Sequence, residues 1–197
     1  DSKKPYILNL PSMFGQPNAI GTNTGAIQFF NLTNSLALVQ NKTGYTLFCI
    51  ANAVISGSSH EVFYFSSGTS GGAERIGIRF NTTATPVLAA KRLDADAQAT
   101  LTGSGAASEF QIIAVTVNYT TGAGVIYQNG VATNTNAALV STGSTSNTAS
   151  VAAQIGALNG ATPTNGLILD CLAFQTALSA ADVLTITEWL NELRQIY

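Results

Sequence analysis

An all-β sandwich closed by one C-terminal α-helix is the architecture that this chain's residue pattern predicts. Three observations carry that prediction. Short apolar runs alternate at period two, turn residues punctuate them throughout, and one stretch near the C-terminus switches to helical period. With 197 residues, 46% of them apolar, the chain is long enough for a substantial core, and no linker or repeat divides it, so residues 1–197 read as a single domain.

The elements follow in order. Residues 5–12, 26–30 and 35–40 read as short strands among turns, and the turn at Asn41 to Gly44 precedes a long strand from Tyr45 to Ile55. Gly57 breaks that strand, and residues 61–67 begin the next. In residues 74–81, Ile76, Ile78 and Phe80 alternate cleanly, and residues 85–93 form a further strand. Ile113, Val115 and Val117 alternate within 110–119. Asn129-Gly130 then sits between two β runs, and this dipeptide suits the positive φ angles of a two-residue hairpin. Residues 133–150 are rich in Asn, Thr, Ser and Ala and read as a surface excursion, followed by strands at 151–158 and 166–174. Ser179 and Asp182 form a capping-box-like pair, with Leu178 and Val183 at the staple positions, and a helix over about 179–195 follows. Its apolar face is Val183, Ile186, Leu190, Leu193 and Tyr197, and Trp189 reads as a wedge against the sheet.

Charge narrows the function classes. Only 9% of residues are charged, and eight Lys plus Arg against ten Asp plus Glu leave a net charge of -2. No basic stripe exists to neutralise phosphates, which excludes a nucleic-acid partner. No apolar run is long enough to cross a bilayer, and no cationic patch grips an anionic membrane. A surface covered by neutral Thr, Asn, Ser and Gly suits an extracellular or virion-surface protein. The first residue is Asp1 rather than methionine, which reads as removal of an upstream segment. Cys49 and Cys171 both lie in apolar strand segments. Two buried thiols acting as small hydrophobes is the plainer reading, and a disulfide contributing ~4–5 kcal/mol is the alternative. A structural zinc site is excluded, because there is no CxxC and only one histidine. Four N-x-S/T sequons, at Asn31, Asn41, Asn81 and Asn118, match what this composition produces by chance and are no evidence for glycosylation.

The order of motifs resembles the laminin-G-like, concanavalin A-like superfamily. Ala114-Val115-Thr116-Val117 followed by Ile126-Tyr127-Gln128-Asn129-Gly130-Val131 is similar to that family's strand-and-hairpin signature. Ile155-Gly156 resembles the next strand, and Gly166, Ile168, Phe174, Ala177, Leu178, Ser179 and Asp182 resemble the family's C-terminal strand and helix without a gap. The resemblance spans roughly residues 25–190. It implies an antiparallel jelly-roll sandwich and a role in carbohydrate recognition or adhesion. The helix resembles the form found in bacterial and phage surface proteins, which implies a receptor-binding or tail-fibre setting. The partner would be a glycan or host-surface receptor. The alternative is a structural virion module that contacts other virion subunits, homo-oligomers included.

Catalysis is not expected. Glycanases of this fold place paired carboxylates on one strand, because acid and nucleophile must flank one bond. Glu61, Glu74 and Glu109 stand apart in the sequence, and Glu188 and Glu192 read as a solvated helix face. The Gln111-Ile112-Ile113 run lacks the histidine of jelly-roll lyases. The candidate ligand-binding residues are Tyr127 as an aromatic platform, Asn129 in the hairpin turn, His60 in a loop, and Asp94 and Asp96 on a strand end. Alternation puts the last two on one face, where they would be the ligands if calcium binds. No other cofactor is expected. Where the family carries an acidic residue near its C-terminal strand, this chain has Leu169 followed by Asp170.

Overall fold

The structure is a computed structural model that describes residues 6–7, 20–21, 30–32, 37–54, 57–68, 73–149, 152–157 and 164–197. These residues form thirteen strands and one helix. The strands are β1 (Tyr6–Ile7), β2 (Ile20–Gly21), β3 (Phe30–Asn31), β4 (Gly44–Ala53), β5 (His60–Ser66), β6 (Glu74–Phe80) and β7 (Pro86–Ala90), then β8 (Ala99–Thr102), β9 (Gln111–Asn118), β10 (Ala123–Gln128), β11 (Val131–Asn136), β12 (Ala152–Ile155) and β13 (Gly166–Phe174). Helix α1 spans Ala180–Arg194. A seven-stranded sheet runs β1-β13-β4-β9-β10-β11 with β2 also on β13, and a six-stranded sheet runs β3-β12-β5-β6-β7-β8. All pairs are antiparallel, as the jelly-roll expectation requires.

Alternation builds the core. Tyr45, Leu47, Cys49 and Ala51 of β4 face Phe63, Phe65, Ile76, Ile78 and Leu88 of the other sheet across the sandwich. Tyr45 packs edge-on against Tyr119 at 6.0 Å and Phe65 at 6.2 Å. The even-numbered residues of β4 point the other way. Phe48 and Ile50 join Ile112, Ala114, Tyr127, Leu172 and Phe174 in a second apolar cluster under α1. The seven-stranded sheet is therefore covered on both faces, which explains why β4 is buried along almost its whole length.

The local chemistry is as expected at both turn and cap. Asn129 and Gly130, at φ 50° and 80°, close a two-residue hairpin between Gln128 and Val131. Ser179 caps α1 by accepting the Asp182 amide and donating to its carboxylate at 2.8 Å. Val183 and Leu190 are the helix's apolar anchors, worth about 2 kcal/mol each by burial. Asp170 accepts two bonds from Arg194, at 2.6 and 3.0 Å, and ties the last helical turn to β13.

Several expectations are corrected. Residues 37–41 form a turn rather than a strand, although Val39 is buried. The segment expected at 85–93 ends at Ala90, and β8 follows, a strand the pattern did not announce. The helix seam is narrower than its apolar periodicity suggests. Leu193 and Tyr197 are exposed, and Thr187 is buried because its hydroxyl bonds to the Val183 carbonyl at 2.8 Å. Trp189 is 46% exposed, so it is not the buried wedge that was expected. The plainer reading of the two cysteines holds: Cys49 and Cys171 face each other across β4 and β13 as free, buried thiols. The remainder of the N-terminal strands expected at 5–12 and 26–30 lies outside the described residues.

Candidate functional site

Three segments meet at one rim of the sandwich: the turn at 37–43, the β7–β8 turn at 91–98, and the excursion at 137–149. Backbone bonds stitch them together. Thr145 N–H donates to Lys42 O at 2.8 Å, Ser146 N–H to Arg92 O at 3.3 Å, and Val140 N–H to Gly122 O at 3.0 Å. Gly122 is needed for that last approach. It sits at φ 81°, and a Cβ there would lie 2.5 Å from the Val140 carbonyl oxygen. Thr145 Oγ1 accepts the Lys42 amide and donates to Val39 O. The excursion is thus a pinned wall of the rim.

Arg75 is the organising charge. It enters from β6 fully buried, and its Nη2 donates to Asp94 Oδ1 and, at 2.7 Å, to Ser146 Oγ. Its Nε and Nη1 have no hydrogen-bond partner among the described residues. Tyr119 holds the same corner, with its hydroxyl donating to the carbonyls of Arg75 and Lys91. Asp94 itself is half-exposed and also accepts from Ser67 Oγ at 2.6 Å and from Thr148 Oγ1. Partial desolvation works to raise its pKa. Hydrogen bonds from Ser67, Thr148 and Arg75, together with the Arg75 charge, outweigh that and lower it to about 2.

A cleft of about 230 Å³ opens beside this cluster, between Lys91, Arg92 and Asp96 on one wall and Leu139, Val140 and Ser141 on the other. Lys91 Nζ donates to Asp94 O at 3.1 Å. Arg92 reaches Ser144 O at 3.4 Å and lies 3.9 Å from Asp96. Lys42, Arg75, Lys91 and Arg92, four of the chain's eight basic residues, therefore belong to one rim.

The five candidate residues do not share a site. Asp94 and Asp96 lie in a turn, not on a strand, so alternation does not align them. Asp94 faces Arg75, whereas Asp96 accepts the Leu93 amide at 3.1 Å. Among the described residues no group of three His, Cys, Asp or Glu side chains is placed to hold a metal. Tyr127 is 5% exposed, because its ring belongs to the cluster under α1; it offers no platform. Burial raises its pKa, opposed by a hydrogen bond with Thr116. Asn129 uses its side chain to accept the Ile112 amide at 2.9 Å, which braces the hairpin. His60 opens β5 opposite Phe80 and is buried, not a loop residue.

A second polar group went unrecognised in the sequence. Glu61 and Glu74, far apart in the chain, both lie buried on the six-stranded sheet. Gly77 leaves room for the Glu74 side chain beside Tyr64, while Arg79 stands 3.9 Å from Glu61. Gln98 donates to Glu74, and Tyr64, Gln154 and Asn31 form a hydrogen-bonded chain. Desolvation, followed by the Glu74 charge, pushes the Glu61 carboxyl up to about 8, against the opposing pull of Arg79. Only strand register reveals this grouping, because it sets Glu61 against Arg79 and Ser66 against Glu74.

The motif order now has a sandwich to match it, and the model of the concanavalin A-like lectin/glucanases superfamily aligns to residues 23–184. The chain belongs to that superfamily. Solved structures share the fold at low identity. The carbohydrate-binding module CBM40 of the Ruminococcus gnavus IT-sialidase, bound to α2,3-sialyllactose, has a TM-score of 0.68 at 15% identity, covering 86% of this chain and 96% of its own. The heptameric SAP-like pentraxin of Limulus polyphemus has a TM-score of 0.62 at 13% identity, covering 95% and 83%. The NanB sialidase of Streptococcus pneumoniae has a TM-score of 0.65 at 15% identity, covering 85% of this chain and only 27% of that longer one. No curated protein matches the sequence. Among the described residues no helix is long and apolar enough to cross a membrane. Superfamily members include lectins and glucanases, so membership describes the scaffold and leaves the chemistry to the site.

Proposed function

We propose that the chain is a single, non-catalytic glycan-binding domain of a cell-surface or virion protein, and that it recognises sugar at the Asp94 rim. The carrying observation is a half-exposed carboxylate ringed by the hydroxyls of Ser67, Ser146 and Thr148 and backed by a buried guanidinium. Arg75 keeps Asp94 ionised and oriented, and Asp94 Oδ2 retains acceptor capacity toward solvent. Neutral hydroxyl groups are desolvated at little cost beside such a site. The similar module from R. gnavus is described with sialyllactose bound, which supports the glycan class. The resemblance of the helix to phage and bacterial surface proteins supports the setting.

A glycan-array screen of the purified chain, with calcium and again with chelator, tests the reading. Specific binding that survives chelation and is lost in Asp94→Asn is the expected result. Chelator-sensitive binding would transfer the site to a metal. A blank array would favour the second reading, a structural assembly module. One observation favours that alternative: Trp189 and Leu193, one turn apart on α1, are both exposed. Light scattering on the wild type and Trp189→Glu would then show an oligomer that the substitution disperses.

A further inference from the structure

We infer that the cleft beside Asp94 takes a carboxylate-bearing sugar residue, so that the preferred ligands are acidic glycans; this deepens the glycan-binding reading and rests on it. The argument begins with the placement of charge. In a chain with so few ionic residues, Lys91 and Arg92 are neighbours in sequence, and both line a single small cleft. Lys91 is largely buried and lines the cleft, and its ammonium spends one bond on Asp94 O, leaving two further donors.

Arg92 is under-satisfied. Its Nε is enclosed with no hydrogen-bond partner among the described residues, its Asp96 counter-ion is 3.9 Å away, and its Nη1 contact with Ser144 O is long at 3.4 Å. A guanidinium so held is offered a better acceptor by a ligand carboxylate, whose two oxygens match the planar fork. Gly143 makes room for that guanidinium: a Cβ there would lie 3.3 Å from Arg92 Nη1. The remaining walls suit a sugar ring. Leu139 and Val140 present an apolar surface for C–H groups, whereas Ser141 and Asp96 can bond ring hydroxyls. A cleft of about 230 Å³ has room for a sugar ring. The rest of the glycan would then run onto the Asp94 hydroxyl cluster, which shares the β7–β8 turn.

Two matched pairs of probes separate charge from shape: sialyllactose against lactose, and a galacturonate trimer against its methyl ester. Affinities are measured by calorimetry on the full chain at 50 and 500 mM NaCl. The expected result is that at least one acidic probe binds tenfold or more tightly than its neutral partner, with a preference that shrinks at high salt. Whichever pair shows it identifies a sialic acid or a uronic acid as the source of the carboxylate. Arg92→Gln should remove the preference, and Ser141→Trp, at an exposed loop position, should block the cleft with unchanged thermal unfolding. Equal binding within both pairs, or a preference that persists in Ser141→Trp, overturns the inference. If neutral glycans bind and Asp94→Asn abolishes that binding, the glycan-binding reading survives without the acidic class. If no glycan binds at all, both fall.

Discussion

Two sides of the same sandwich handle charge in opposite ways. On the helix side, Asp170 and Arg194 meet through two bonds, and each side chain is about one-fifth exposed, so water shares the cost of holding the pair. On the rim, Arg75 is fully buried, bonds Asp94 through one nitrogen, and leaves two nitrogens without hydrogen-bond partners among the described residues. The first arrangement is a clasp between helix and strand. The second holds a charge inside the protein at a cost, and its carboxylate partner, Asp94, is half-exposed. Buried ion pairs seldom add stability over an apolar replacement, so a one-sided pair of this kind points to a role in presenting Asp94.

The comparison predicts unequal responses. Asp94→Ala should be the most damaging, at about 3 kcal/mol in denaturant unfolding, because the Arg75 charge stays buried without its partner. Arg75→Met should cost much less while abolishing glycan binding. If both substitutions cost the same, burial of the guanidinium is not what distinguishes the rim. Acid should expose the same asymmetry. The folded-state pKa of Asp94 is lowered to about 2, so its contribution is present above the ordinary carboxylate range and is lost as pH falls from about 4 through 2.

Glu61 has the opposite sign. Its folded-state pKa is raised to about 8, so the native protein holds the proton more tightly than the unfolded chain. Stability should be full below about 4.5 and fall as pH rises through 8, by about 2 kcal/mol between pH 5 and 7. Glu61→Gln should flatten that slope in thermal melts, and an unchanged slope would locate the titration elsewhere. The smallest effect is expected at the clasp. Asp170→Ala should cost about 1 kcal/mol and fray the last turn of α1, seen as faster amide exchange after Leu190.

Legibility in the sequence differed between the same two sides. The helix side was readable because its signals are local: Ser179 and Asp182 cap within one turn, Asn129-Gly130 requires positive φ angles, and β4 is one long apolar run after a turn. The rim was barely readable. Asp94 could be named as a candidate, but Arg75 could not, because nineteen residues separate them and only the register of β6 and β7 joins them. Tyr127 and His60 failed as candidates for a related reason. Tyr127 sits on a strand where either face was open to the reading, and α1 covers the face it chose, whereas His60, expected in a loop, begins β5 and is buried there.

Composition and local pattern by themselves determined the class of this protein: an antiparallel sandwich, one capped helix, a neutral surface and the superfamily that such an order of motifs resembles. Those properties follow from side-chain periodicity, turn chemistry and cap chemistry, which act over a few residues. Tertiary structure alone decided where the scarce charges meet. It gathered Arg75, Lys91 and Arg92 at one rim, brought Glu61 and Glu74 onto one sheet, and left Trp189 partly exposed. Register, bulges and the docking of one helix set those meetings, and all three are settled by packing between segments far apart in the chain.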